Sequence, residues 1–310
     1  MRIGVWGGGS LGLLWAARLA ALYPETVLVT RTREQADAVR NKGIRVIGLD
    51  GKVERIPVQA VESDQATASF DVIMLMVKQR DFTSAFHQAI SACTPDGVIV
   101  CWQNGVGHDA VVKETNHTQA VYGAVTTEGA WRESMTAVRH TGAGKTWMGP
   151  LLEKREDHPS SLQSLIVQVD RQWCPVALVD DIQPRIWKKV IINSVINPLT
   201  ALLEVKNGEL LRLKGTGALI RSALEEGVAV VRAKGFRWEV DDIFHEVEEV
   251  CGKTASNRSS MYQDVMRGHV TEIDWINGGI VKEGCAHGIP TPIHETLMRL
   301  IHAKEERNRR

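Results

Sequence analysis

No charge of one sign dominates this chain. Lysine plus arginine and aspartate plus glutamate number 37 each among 310 residues. Such a balance gives no overall pull toward nucleic acid or an anionic membrane, so any polyanion must be held by a local patch. No run of about 18 consecutive apolar residues occurs, which excludes a membrane-spanning helix. The five cysteines (Cys93, Cys101, Cys174, Cys251, Cys285) are odd in number and scattered, without a C-x-x-C pair. Neither a disulfide framework nor a metal site is expected from them; they read as buried thiols of a cytoplasmic protein. Internal repeats and low-complexity tracts are absent too. The apolar stretch after Met1-Arg2 imitates a signal peptide as far as Leu22, but three consecutive glycines would break its helix. What is left is an ordinary globular composition, 44% hydrophobic and 24% charged, long enough for two domains.

Those glycines have a better explanation. Residues 2–6 are a short apolar strand, and GGGSLG follows, with Gly7, Gly9 and Gly12 in the G-x-G-x-x-G pattern and Ser10 and Leu11 between them. A helix over Leu11–Leu22 completes the order strand, glycine turn, helix of a Rossmann-type dinucleotide-binding unit. Gly7 permits the tight turn, Gly9 lets a pyrophosphate approach the backbone, and Gly12 lets helix and strand pack closely. The helix start offers free N–H groups and a positive dipole end to the phosphates. The second strand, Thr26–Thr30, ends where the adenosine ribose belongs. No acid for a ribose hydroxyl follows until Glu34; Thr30-Arg31-Thr32-Arg33 stands there instead. A guanidinium suits a 2′-phosphate, so NADP(H) is the expected cofactor, with Arg31 the stronger contact. Arg33 either joins it or only opens the helix that runs to about Lys42.

Residues 44–61 alternate about Asp50-Gly51 and read as a hairpin inserted into the unit. Residues 71–77 and 97–102 are apolar runs of the kind found in central parallel strands. They end at Lys78 and at Gln103-Asn104-Gly105, and ligands of open α/β sheets bind beyond such strand ends. Lys78 and Asn104 are therefore site candidates, though a loop lysine and a turn asparagine before glycine fit the same places. Strands with glycine-rich turns over 121–150, a helix near 158–169 and a strand near 174–179 close this half.

From Ile182 onward the patterns have a helical period. Trp187–Thr200 reads as a helix apolar on most of its surface, through which Lys189, Asn193 and Asn197 run at i, i+4 and i+8. These three fall within roughly 80° of arc. A solvated stripe would favour Glu, Lys or Gln over Asn, a poor helix former. Pro198 removes the donor for the Ser194 carbonyl and kinks or ends the helix beside the polar line. The stripe thus reads as the wall of a polar cleft. Asn207-Gly208-Glu209-Leu210 makes a turn, and helices follow near 215–235, 241–251, 256–267, 270–287 and 293–307. The final EERNRR reads as a frayed end. Ser260 and Glu272 would lie about 120° apart on one unbroken helix, so they share a face only if Gly268 bends the chain.

The motifs together resemble the ketopantoate reductase (2-dehydropantoate 2-reductase) family over essentially the whole length. They are N-x-x-x-N-P-L-T-A-L at Asn193–Leu202 preceded by Trp187 and Lys189, N-G-E-L at Asn207–Leu210, S-S-M-x-Q-D at Ser259–Asp264, T-E-I-D-x-I-N-G at Thr271–Gly278, and A-H-G-I-x-x-P at Ala286–Pro292. The resemblance implies an α/β fold: an NADP-binding Rossmann domain over 1–179 and an all-α substrate domain over 180–310, with the active site in the cleft between them. Lys189 then matches a catalytic lysine that protonates the alkoxide as NADPH reduces a C2 ketone in pantothenate and coenzyme A biosynthesis. Glu272 matches the acid that orients substrate and supports the lysine. Asn193, Asn197, Asn207 and Ser260 match substrate-holding positions. Lys78 and Asn104 match positions near the nicotinamide, where with Glu272 they meet both substrate and cofactor. Gly7, Gly9, Ser10, Leu11, Gly12 and Arg31 match the NADPH-binding positions. The partner expected is a small 2-keto acid, with no nucleic acid and no membrane; a homodimer is compatible. Two rivals stay open: a paralogue reducing another 2-keto acid or acting as an opine-type dehydrogenase, and a non-catalytic NADP-sensing module.

Overall fold

The computed structural model describes residues 1–67 and 69–309, the side chain of Arg309 excepted. Two compact units form: Met1–Gln103 with His108–Gln183, and Asn104–Gly107 with Pro184–Arg310.

The first unit is built as β1 (Ile3–Trp6), α1 (Ser10–Leu22), β2 (Val27–Thr30), α2 (Arg33–Lys42), β3 (Ile44–Ile47), β4 (Val53–Ile56), β5 (Gln59–Glu62), β6 (Phe70–Leu75), α3 (Phe82–Ala92), β7 (Cys93–Cys101), α4 (His108–Glu114), β8 (Ala120–Thr126), β9 (Gly129–Ser134), β10 (Ala137–Gly142), β11 (Thr146–Pro150), α5 (Ser160–Gln172) and β12 (Val176–Leu178). Its main sheet has the order β12-β11-β8-β7-β6-β1-β2-β5. The six strands from β5 to β8 are all parallel. In chain order they run 3-2-1-4-5-6, the doubly wound arrangement whose ligand site lies where the order reverses, between β1 and β6. Val72, Ile73, Met74, Leu75, Val98, Ile99 and Val100 are fully buried, as strands covered on both faces require.

Residues 44–61 are not one hairpin. β3 and β4 pair antiparallel about the Asp50-Gly51 turn, whereas β5 leaves them and pairs parallel with β2. Alternation alone could not separate these outcomes, because an edge strand and a hairpin arm share the same period. β3 and β4 belong to a second sheet, β4-β3-β10-β9.

The second unit is helical: α6 (Gln183–Leu203), α7 (Asn207–Leu210), α8 (Thr216–Ala233), α9 (Val240–Lys253), α10 (Ser260–Met266), α11 (Ile273–Ala286) and α12 (Pro292–Arg309). α6 does not end at Pro198 but continues past it to Leu203. The expected frayed terminus is also corrected. Glu305 is buried and accepts from the Thr271 N–H at 2.8 Å, and the Asn308 amide donates to the Val265 carbonyl at 3.0 Å. The last helical turns are thereby tied to the chain just before Glu272; Arg310 lies outside the described residues. Cys93, Cys101, Cys174 and Cys251 are buried free thiols, whereas Cys285 is exposed, on the solvent side of α11. No described helix is long and apolar enough to cross a membrane. Among the described residues no group of three or more His, Cys, Asp or Glu is placed to hold a metal.

Candidate functional site

In the first unit the glycine turn lies between β1 and α1, beside the exit of β6. Gly7 takes φ +114°, and a Cβ there would lie 2.7 Å from the Met76 carbonyl oxygen. A Cβ on Gly12 would stand 1.7 Å from the Gly7 oxygen, so helix and turn touch backbone to backbone. A Cβ on Gly9, by contrast, meets nothing within 4 Å. That open side is where an approaching pyrophosphate needs room. Gly9 caps α1 without a side chain, and the first turn of α1 has no acid, so its N–H groups and dipole are left to an anion. The residues present therefore fit a dinucleotide.

The middle glycine has its own reason. A Cβ on Gly8 would lie 2.4 Å from Gln35, whose side-chain amide donates to the Gly8 carbonyl at 2.9 Å and to Met135 O at 3.0 Å. Arg132 on β9 donates to the same Gly8 oxygen at 3.1 Å, and its backbone N–H donates to the Ser10 hydroxyl at 3.1 Å. In a trans peptide the C=O and N–H point oppositely. Gripping the Gly8 oxygen from one side therefore aims the Gly9 N–H to the other. Sequence reasoning missed Gln35 and Arg132; neither is near the turn in the chain.

Arg31 is exposed just past the end of β2, and Arg33 opens α2 with its guanidinium 3.7 Å from Asp37. Lys78 lies three residues past β6, partly buried, on the segment that Gly7 abuts. Two contacts fix that segment. The Gln103 amide donates to Leu75 O at 2.9 Å and Val77 O at 3.0 Å, and buried Gln79 lies 3.3 Å from His108 Nδ1. Burial pushes His108 down to about 4, so the ring is neutral.

In the second unit Lys189, Asn193 and Asn197 line one face of α6; Lys189 and Asn193 are partly buried and Asn197 is buried. Burial drives the Lys189 ammonium down to about 8, and the Glu272 carboxylate pulls it back up. Of these two opposed effects, desolvation is the larger. Glu272 occupies the N-cap of α11, but its carboxylate makes no capping bond; it accepts from the Asn104 amide at 3.1 Å. Asn104 reaches it because residues 104–107 pack on the first turn of α11. The Val106 N–H donates to Trp275 O at 3.0 Å, and Gly105 takes φ +87° where a Cβ would meet that same oxygen at 2.5 Å. Lys189, Glu272 and Asn104 thus converge from three segments of the chain.

The serine pair divides its labour. Ser259 is the N-cap of α10, accepting from the Tyr262 N–H at 3.1 Å and from the Thr200 hydroxyl at 2.7 Å. Ser260 is the first residue of α10 and is exposed. Gly268, at φ +66°, breaks the chain after α10, so Ser260 and Glu272 stand on separate helices. Asn207 is buried at the start of α7; its amide donates to Thr254 Oγ1 at 2.8 Å while its Oδ1 has no partner.

A lysine faced by a carboxylate, with Asn193 and Asn197 on the lysine's own helix face and Asn104 on the carboxylate, in a chain that also carries a dinucleotide turn, suits hydride transfer with a proton donor. Comparison with known proteins agrees. The model of the family "Ketopantoate reductase PanE/ApbA" matches residues 3–153, and that of its C-terminal part matches residues 181–305. The 2-dehydropantoate 2-reductase of Bacillus subtilis is 34% identical over 307 residues, 98% of each chain. That of Archaeoglobus fulgidus is 32% identical over 305 residues, again 98% of each. A solved PanE/ApbA family ketopantoate reductase from Ralstonia eutropha superposes with TM-score 0.89 at 27% identity over 100% of both chains. The fold is shared with D-mandelate dehydrogenase, solved with NADH and anilino(oxo)acetate, at TM-score 0.92 and 23% identity over 100% of both chains. With full-length relatives above 30% identity and both family models matched, the chain belongs to the ketopantoate reductase family of NADP-dependent oxidoreductases.

Proposed function

We propose that the protein reduces 2-dehydropantoate (ketopantoate) to pantoate with NADPH, the step its full-length relatives are named for, in the supply of pantothenate and coenzyme A. The observation that carries the mechanism is Lys189: a lysine held near pH 8 by burial and faced by a carboxylate. NADPH, when bound, supplies the hydride for C2 of the keto acid. Lys189 gives its proton to the C2 oxygen as negative charge develops there. An acid whose pKa lies close to the working pH is the efficient one, and such catalysis is worth roughly 10²–10⁴-fold. Glu272 keeps the lysine charged despite its burial and stays oriented through Asn104. Asn193, Asn197, Asn207 and Ser260 hold the carboxylate and hydroxyl of the substrate without adding charge that would shift the lysine further. Gly7, Gly9, Ser10, Leu11 and Gly12 receive the pyrophosphate, and Arg31 grips the 2′-phosphate. Lys78 serves the nicotinamide side. The reading places the enzyme in the cytoplasm and allows a homodimer.

The experiment is a panel of NADPH and NADH against ketopantoate and other branched or aromatic 2-keto acids, followed by cofactor absorbance. Highest kcat/KM with ketopantoate and NADPH is expected. A clear preference for another keto acid would move the substrate and leave the lysine chemistry standing, because the fold also carries a D-mandelate dehydrogenase.

A further inference from the structure

Pro198 leaves the Ser194 carbonyl without its helical partner, because residue i+4 has no N–H to give. Ser194 is fully buried, so water does not replace that donor. Instead the Asn277 side-chain amide, from the middle of α11, donates to the Ser194 oxygen at 2.9 Å. Asn277 is itself fully buried. Its second amide hydrogen points to His294 Nδ1 at 3.1 Å, and His294 Nε2 lies 2.9 Å from the Ala223 carbonyl of α8.

These bonds admit one assignment. A carbonyl only accepts, so His294 carries its proton on Nε2, and Nδ1 is left as an acceptor. The Asn277 nitrogen must then face both Ser194 and His294; a flipped amide would set oxygen against oxygen. Burial holds His294 in this neutral form, at about 4. A chain of three bonds from α8 through the histidine thus locks the amide that fills the gap in α6.

Its place along the helices suggests its use. Ser194 stands five residues after Lys189 on α6, and Asn277 five residues after Glu272 at the cap of α11. We infer that Asn277 is a positioning residue: a strut between the proline-interrupted helix that carries the acid and the helix that carries its carboxylate, setting the Lys189–Glu272 geometry. Pro198 opens the socket for the strut, and His294 keeps it from turning. The inference rests on Lys189 being the proton donor. It assigns the asparagine of the T-E-I-D-x-I-N-G motif and His294 to the reaction without contact with substrate.

The test is a double-mutant cycle of Asn277→Leu and Pro198→Ala, read by kcat, by the pH of the alkaline limb of kcat, by the NADPH dissociation constant and by thermal unfolding. Asn277→Leu keeps the branching and the number of side-chain heavy atoms and removes the donor. It should lower kcat about ten- to a hundredfold, as expected of a misplaced acid. It should also shift the alkaline limb and leave NADPH binding within about twofold. Pro198→Ala restores a backbone N–H opposite Ser194. Adding it to Asn277→Leu should therefore recover most of the lost kcat and return the limb toward its wild-type pH. If Asn277→Leu alone does not fold, recovery of a folded, active double variant carries the same support. Effects that simply multiply, or an alkaline limb that stays put, would overturn the strut. Were the wild type to reduce no 2-keto acid, the proposed function would fail by itself. The coupling of the two substitutions in thermal unfolding would still decide whether the bond forms.

Discussion

Replacing Glu272 by Gln should lower the pKa of Lys189. The substitution keeps a carbonyl oxygen for the Asn104 amide, so the packing of residues 104–107 on α11 has no reason to change. What disappears is the carboxylate charge that raises the lysine against its burial. An opposite charge within about 4–6 Å shifts a pKa by roughly 1–3 units. The alkaline limb of kcat, expected near pH 8 for the wild type, should therefore move down by about that much. At neutral pH most of the wild-type lysine carries its proton. A two-unit fall would leave it on about a tenth of the molecules and cost roughly tenfold in rate. The variant should recover activity as the pH is lowered, whereas a substitution that merely disrupts the site should not. The assay is a kcat–pH profile with ketopantoate and saturating NADPH. A limb that stays at the wild-type pH while kcat drops at every pH would refute the reasoning and leave Glu272 a substrate contact only.

Arg31→Ala should raise the KM for NADPH about ten- to a hundredfold and leave that for NADH unchanged, the loss expected for a charge-assisted contact to the 2′-phosphate; initial rates with the two cofactors check this. Gly12→Ala should abolish tight NADPH binding, measured by fluorescence titration, because its Cβ would stand 1.7 Å from the Gly7 oxygen. Acid should destabilise the fold through two buried histidines. His108 and His294 are held from 6.5 down to about 4. Their stabilising preference for the neutral ring is fully present above the unfolded pKa. It is lost as pH falls from 6.5 toward 4, about 2 kcal/mol each by pH 5. Denaturant unfolding at pH 7 and pH 5 measures it, and His294→Gln should shrink the difference.

What the sequence revealed was what local chain geometry dictates. The glycine turn was legible because Gly7, Gly9 and Gly12 act within one turn and one helix start. The polar line on α6 was legible because Lys189, Asn193 and Asn197 are spaced by the helix itself. Ser260 and Glu272 were not derivable from spacing, since the break at Gly268 decides their relation and a single glycine fixes no angle. Resemblance had to supply them. Asn104 was visible as the end of a strand, but not that residues 104–107 pack on α11. The demand of Pro198 for an outside donor could be read in the chain; that Asn277 meets it could not, since the two lie 79 positions apart. Gln35, Arg132 and Glu305 stayed hidden for the same reason. Each is an ordinary surface residue type made structural by long-range hydrogen bonds.

The central claim is that Lys189 donates the proton. Single-turnover oxidation of bound NADPH by ketopantoate, in wild type and in Lys189→Ala, tests it most directly because product release is bypassed. The hydride-transfer rate is expected to fall roughly 10²–10⁴-fold with NADPH affinity kept, and added small amines to rescue it in part. A rate within a few-fold of wild type would contradict it, and the proton would then have to come from another group or from water.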